Sequence, residues 1–225
     1  MAKRPLPDIL HPQMLLGAYA QGYFPMAEER SDADVFWLNP EQRGILPLDA
    51  FHVPRRLARR MRAAAWRHTV DTAFAQVTAA CAGANRQGGR TWISPLIERS
   101  YFNLHQAGHA HSVEVWDGAA LVGGLYGVSL GGAFFGESMF SVERDASKAA
   151  LVHLVARLKV GGFVLLDTQF VTEHLTQFGA VEIARAKYQV LLQQAIAAPG
   201  DFYVLGGAGA AVLAGTVLQL TTQTS

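Results

Sequence analysis

The chain has 225 residues, of which 50% are hydrophobic and only 16% are charged, and its formal net charge is +1. That balance excludes a disordered tail and a charged coiled coil, and it supplies apolar mass for one large domain or a small and a medium one. The single cysteine, Cys81, excludes a disulfide framework and any cysteine-based zinc cluster.

The opening Met1-Ala-Lys-Arg-Pro soon reaches Pro7, Asp8 and His11, without the apolar run of a signal peptide, so a cytoplasmic protein is expected. Residues 12–22 read as a short helix, with Pro12 at its start, Met14, Leu15, Ala18 and Tyr19 on one face, and Gly22 as its stop. An apolar knot, Gly22-Tyr23-Phe24-Pro25-Met26, precedes an acidic turn carrying Glu28, Glu29, Asp32 and Asp34. Residues 35–38 and 45–49 read as short extended pieces, so residues 1–45 are expected to form a small, irregular first unit.

Residues 54–64 read as a helix, with Pro54 tolerated in the first turn. Arg55, Arg59 and Arg62 share one face, Arg56 and Arg60 sit beside them, and Leu57 and Met61 point away. No acidic residue lies between Asp49 and Asp71, where there are six arginines (these five and Arg67); without them the formal charge would be −5. A cationic face with no glutamate to pair with points to a polyanionic partner.

Residues 71–82 read as a helix with Asp71 as N-cap and Cys81 in its core, and 83–89 as a loop. After Thr91-Trp92-Ile93, Ser94-Pro95 opens a helix that stops at Gly108. Residues 110–116 alternate as a strand, Asp117-Gly118 signals a hairpin, 121–129 return, and a third strand starts at Ala133. Asp145 or Ser147 caps a helix running through Lys159 to Gly161-Gly162. A strand over 163–167, a short helix over 171–178, a strand over 181–183 and a helix over 186–197 complete the order. A hairpin followed by strand–helix–strand predicts an α/β (α+β) fold with a mixed sheet, the order found in acyl-CoA N-acyltransferase domains. The 19 uncharged residues 202–220 are long enough to raise a membrane span, but Gly206, Gly207, Gly209 and Gly215 dilute them and no basic residue flanks them. A Gly/Ala-rich tail packed on the body, and no membrane, is the expectation.

Two acids stand alone in apolar runs. Glu137, in Gly136-Glu137-Ser138-Met139-Phe140-Ser141, reaches an arginine, caps a backbone donor or serves a site, because glutamate is rarely buried without a partner. Asp167 ends a buried strand, where α/β sheets tend to place ligands, and Gln169 at i+2 would project to the same face; the alternative is an N-cap for the following helix. His109 and His111 share a strand face but lack further metal ligands, so an edge hydrogen-bonding role is expected. Trp37 and Trp92 lie near loop boundaries, where an exposed tryptophan can stack on a base; the alternative is partly buried packing.

Several blocks occur in a fixed order: Gly22-Tyr23-Phe24-Pro25; Trp37-x-Asn39-Pro40-x-x-Arg43; Thr91-Trp92-Ile93; Gly108-His109-Ala110-His111-Ser112-x-Glu114-Val115-Trp116; Val122-Gly123-Gly124-x-Tyr126-Gly127-Val128; Gly136 to Ser141; Ala146-Ser147-Lys148; and Asp167-x-Gln169. Together they resemble the bacterial leucyl/phenylalanyl-tRNA–protein transferase family over residues 12–204. The resemblance implies a small N-terminal domain (1–45), an acyl-CoA N-acyltransferase-like catalytic domain (46–204) and a Gly/Ala-rich C-terminal tail (205–225). It implies transfer of leucine or phenylalanine from aminoacyl-tRNA to the α-amino group of proteins that begin with Arg or Lys, marking them for degradation, by a monomer. Asp167 and Gln169 match the catalytic pair, with Gln169 accepting the proton of the incoming amine while Asp167 holds it. Glu137 matches the acid at the base of the aminoacyl pocket, with Leu125, Phe134, Leu154 and Leu158 as its walls. Trp92 and Met26 fall at the tRNA 3′-adenosine, Met26 where many members carry an aromatic, and Arg55, Arg56, Arg59, Arg60 and Arg62 on the tRNA backbone.

That chemistry implies no cofactor and no metal, since an aminoacyl ester is already activated and needs mainly positioning. An N-terminal amine, with a reference pKa of about 7.7–8.0, needs only a modest proton acceptor. One methylene is worth about 1–3 kcal/mol in a pocket, so methionine is a further expected donor residue. Two other classes compete with this reading. A small-molecule acyl-CoA N-acyltransferase would need a glycine-rich pyrophosphate turn where Asp145-Ala146-Ser147-Lys148 stands. A non-catalytic RNA-binding module would leave Asp167 and Gln169 without purpose.

Overall fold

The computed structural model describes residues 9–83, 91–212 and 214–222. The sheet grows from the Asp117-Gly118 hairpin, where β5 (Ala110–Asp117) and β6 (Ala120–Leu130) pair antiparallel and Gly118 takes φ 56°, a left-handed conformation that costs glycine nothing. β7 (Ala133–Ser141) extends the meander. Helix α5 (Ala146–Val160) then crosses over, and β8 (Leu165–Gln169) lies parallel to β7. β3 (Gln42–Ile45) and β9 (Val181–Ala184) continue beyond β8, and β4 (Arg67–Val70) forms the opposite edge. The order is β4-β5-β6-β7-β8-β3-β9, antiparallel except for β7–β8, so the expected mixed sheet is present. A separate two-stranded sheet joins β1 (Phe24–Met26) to β2 (Phe36–Leu38).

Strand alternation divides the core into two layers. Leu125, Phe134 and Leu166 face α5, which is backed by α2 (Arg55–Ala63) and α8 (Ala214–Thr222). Tyr126, Phe135 and Leu165 face the other way, toward α1 (Pro12–Ala20), α3 (Phe74–Gly83), α4 (Pro95–Gln106) and α7 (Arg185–Ala197). Covered by the sheet on one side and by α8 and α2 on the other, α5 is buried at nearly every position from Ala146 to Leu158. The tail therefore packs on the body, and no helix among the described residues is long and apolar enough to cross a membrane.

Some local expectations change. Strand β4 is not foreseen by the sequence pattern. Asp71 does not cap α3: it has φ 56°, and its carboxylate accepts from Ser112 N (2.7 Å), His111 Nδ1 (2.8 Å) and the Tyr203 hydroxyl (2.6 Å). Long-range donors have outcompeted the local helix end. Neither Asp145 nor Ser147 caps α5 through its side chain; Asp145 is left-handed, and Ser147 N instead donates to Ser141 Oγ at 3.0 Å. Ser94 does cap α4, accepting from Ile97 N at 3.4 Å. The expected loop after Gly83 lies outside the described residues.

Candidate active site

β7 and β8 are paired only from Ala133↔Leu165 to Phe135↔Asp167. Beyond that point β7 follows β6 while β8 ends, so the parallel strands part at their carboxyl ends, where α/β sheets open toward ligands. A cavity of about 310 Å³ fills the gap. Leu125, Leu151, Leu154 and Leu166 make an apolar wall on the α5 side, while Glu137, Gln169 and Thr168 bring polar groups from the parted strands. Met26 of β1 and Trp92, just before α4, line it from the other layer, and Thr172, His174 and Leu175 from the short helix α6 (Glu173–Thr176) and its N-cap.

The end of β8 is bent. Gln169 has φ 63°, a strained value for a residue with a Cβ, and Phe170 N donates to Thr168 O at 2.6 Å, closing a three-residue turn around it. Two features hold the turn. Asp167 Oδ1 accepts from Gln169 N at 2.7 Å. Gly44 of β3 lies against the turn so closely that a Cβ would come within 2.6 Å of the Phe170 carbonyl carbon.

Asp167 is itself completely buried. Arg43 grips it with Nε at 3.0 and 3.1 Å and Nη2 at 2.6 Å, and the Tyr188 hydroxyl donates at 2.6 Å. A buried carboxylate needs this full set of donors. Burial, and then the Asp167 charge, push the Tyr188 hydroxyl far above its ordinary pKa, so it remains a neutral donor.

Glu137 forms the second half of the network. It reaches no arginine and caps no backbone group among the described residues. It accepts from the Tyr19 hydroxyl (2.7 Å), the Tyr101 hydroxyl (3.1 Å) and Gln169 Nε2 (2.9 Å); the two tyrosine hydroxyls also lie within hydrogen-bond distance of each other, and their two protons are shared among these three contacts. Burial raises its pKa to about 7 against the pull of those donors, with the nearby Asp167 adding to the rise. Both tyrosines are held far above their ordinary pKa, first by burial and then by Glu137, and stay protonated. With Gln169 Nε2 committed to Glu137, the amide keeps Oε1 as its acceptor end, and that atom has no hydrogen-bond partner among the described residues.

The structure thus brings Asp167, Gln169, Glu137, Leu125, Leu154, Trp92 and Met26 to one place, but with a different division of labour. Asp167 and Gln169 do not project side by side from a straight strand; Asp167 holds the Gln169 main chain, and Glu137 holds its side chain. Phe134 and Leu158 do not line the cavity. Phe134 lies where β7 and β8 are still paired, and its ring packs on Phe163 and Phe202. Leu158 is one turn farther than Leu154 from the open end and is wholly buried. The arginines of α2 are all exposed, over buried Leu57 and Met61. Of the five, Arg60 alone has a carboxylate within ion-pair distance among the described residues, Glu143 at 3.7 Å.

Residues 45–193 match leucyl/phenylalanyl-tRNA protein transferase, and residues 8–41 match the N-terminal domain of that enzyme. The chain belongs to the leucyl/phenylalanyl-tRNA–protein transferase family. A relative from Phenylobacterium zucineum (strain HLK1), which carries that name, is 60% identical over 94% of this chain and 96% of its own. One from Caulobacter vibrioides (strain NA1000 / CB15N) is 59% identical over 85% and 88%, and one from Afipia carboxidovorans is 54% identical over 95% of each chain. A solved structure, L-PGS from Bacillus licheniformis, is 16% identical with a TM-score of 0.39, covering 70% of this chain and 53% of that one. Within this member of the transferase family, the sequence pattern assigns no role to Arg43, Tyr19, Tyr101 or Tyr188. Arg43 lies inside a recognised block, so a signal for it exists. The tyrosines stand in helices whose periodic apolar faces explain them equally well as core.

Proposed function

We propose that this chain transfers leucine or phenylalanine, and also methionine, from the 3′ end of an aminoacyl-tRNA to the α-amino group of a protein. The observation that carries this reading is the Gln169 amide, fixed by Glu137 and Asp167 with its acceptor oxygen uncommitted beside an apolar cavity. Leu125, Leu151 and Leu154 receive the donor's apolar side chain, and Trp92 and Met26 meet the adenosine. Gln169 Oε1 accepts a hydrogen bond from the incoming amine and aims its lone pair at the ester carbon. The C–N bond then forms, the bond to the ribose oxygen breaks, and the proton lost by nitrogen ends on that oxygen. Positioning of this kind supplies several kcal/mol without an added cofactor.

Acceptors that begin with Arg or Lys suit the cavity's border, because Met26 and Trp92 also edge a shallow hollow carrying Glu28, Glu29 and Asp32. Modification of such proteins would mark them for degradation. The test is to incubate the protein with labelled leucyl-tRNA and peptides that differ only in their first residue. Label in the Arg and Lys peptides supports the reading; label in none removes it, and label in Asp or Glu peptides alone overturns the acceptor class. Labelled acetyl-CoA in the same assay tests the small-molecule alternative.

A further inference from the structure

The block Ala146-Ser147-Lys148 has no part in the site described so far. Lys148 stands in the first turn of α5, and Leu151, at i+3, lines the cavity. Residues three apart share a helix face, so Lys148 lies at the cavity's rim above Leu151. Its Nζ is 3.0 Å from Asp145 Oδ1, and its side chain is 25% exposed. Arg144 beside it is 67% exposed, with Nε 3.7 Å from Asp145 Oδ2. Two cations share one carboxylate, which leaves a positive surplus on the rim. Arg60 of α2 donates Nε to Arg144 O at 3.2 Å, and Glu143 below is matched by Arg60 itself. The basic strip is therefore continuous from the arginine helix to the cavity. His174 also lines the cavity; burial, then the Lys148 charge, lower its pKa, so the positive charge at the rim is that of Lys148 and Arg144.

We propose that Lys148, with Arg144 beside it, binds a phosphodiester of the donor's 3′-terminal single strand and guides that strand from α2 into the cavity. This rests on the aminoacyl-tRNA reading above. The wide, anionic body of the tRNA has the exposed arginines of α2 to meet it, but the reacting ester must lie between Gln169 and the leucine wall. The strand joining the two crosses Arg144 and Lys148. A lysine suits the role because it meets one phosphate as a point charge and reads no base.

Three donors carrying the same amino acid separate this role from others: leucyl-tRNA, the leucylated trinucleotide cytidyl-cytidyl-adenosine, and leucyl-adenosine, which has no phosphodiester. For K148Q we expect KM to rise roughly tenfold with leucyl-tRNA and with the trinucleotide, kcat to hold, and KM for leucyl-adenosine to stay put. The salt dependence of trinucleotide binding should flatten by about 0.7 in log–log slope, the share of one single-strand phosphate. K148R should restore both. An equal loss on leucyl-adenosine would make Lys148 a mere support of the cavity wall and overturn the proposal. So would an unchanged KM for the trinucleotide. If the unmodified protein used none of the three donors, the donor reading itself would fall, a failure visible before any variant is made.

Discussion

At the scale of single residues the site turns on how one amide is held. Gln169 is caught at both ends, by Asp167 on its backbone nitrogen and by Glu137 on its side-chain nitrogen. Gln169→Ala should lower kcat by roughly 10²–10⁴ while donor binding persists, because the leucine wall and the basic helix are untouched; single-turnover transfer beside a filter-binding measurement would show the split. Glu137 adds a pH dependence whose sign can be worked out. Its pKa, raised to about 7, means that it is protonated below that pH. A neutral carboxyl carries its own donor and no longer demands the Gln169 N–H, so the amide loses its fixed orientation. The acceptor amine must also be neutral, with a reference pKa of about 7.7–8.0, so both groups make transfer fall as pH drops. Glu137→Gln removes the first titration and leaves the second. Its kcat profile, measured across about pH 5.5–9, should show a single limb near the amine's pKa. Two limbs in that variant would assign the lower one to another group.

At the scale of elements, α2 (Arg55–Ala63) pairs a buried edge, Leu57 and Met61, with exposed arginines. Arg55, Arg59 and Arg62 replaced together by Glu should weaken tRNA binding and reduce its log–log salt slope by about 0.9 for each phosphate no longer neutralised. Leucyl-adenosine should be used as before, since the proposed reading puts its ester in the cavity and not on α2. Unaltered tRNA affinity would mean that the tRNA lies elsewhere. This helix is legible in the sequence because its signal is local: spacing, sign of charge and the lack of acids. The hairpin at Asp117-Gly118 and the cap at Ser94 are legible for the same reason. What escapes a sequence reading depends on distant partners. Asp71 looks like an N-cap until Ser112, His111 and Tyr203 are brought to it. Asp167 and Gln169 look like neighbours on one strand face until the turn at Phe170, allowed by Gly44 from another strand, rotates Gln169 out of line. Phe134 and Leu158 have the right chemistry for a pocket wall, but their depth is set by where β7 and β8 part, and no residue type announces that point.

At the scale of the whole molecule, Arg43 joins the first unit to the sheet. It projects from β3, donates Nη1 to Gly22 O at 2.9 Å, grips Asp167 of β8, and lies between the rings of Phe24 and Tyr188, each 4.6 Å from its Cζ. It is 1% exposed, and Asp167 is not exposed at all. Such a pair is hard to desolvate, so its net contribution is small compared with the penalty for leaving one partner alone. Arg43→Met keeps much of the packing between the two rings but strands the Asp167 charge, and it should cost about 3–5 kcal/mol in a urea unfolding measurement. Arg43→Lys keeps a charge but gives up the forked grip, and its stability should fall between that of Arg43→Met and that of the unmodified protein. The decisive comparison adds Asp167→Asn to Arg43→Met. The asparagine side chain still offers an oxygen to Gln169 N, so the turn survives, and the buried charge is gone. The double variant should therefore be more stable than Arg43→Met alone. Were it no more stable, the arginine would be acting as a spacer between Phe24 and Tyr188, and the charge on Asp167 would be held by Tyr188 and the Gln169 backbone without it.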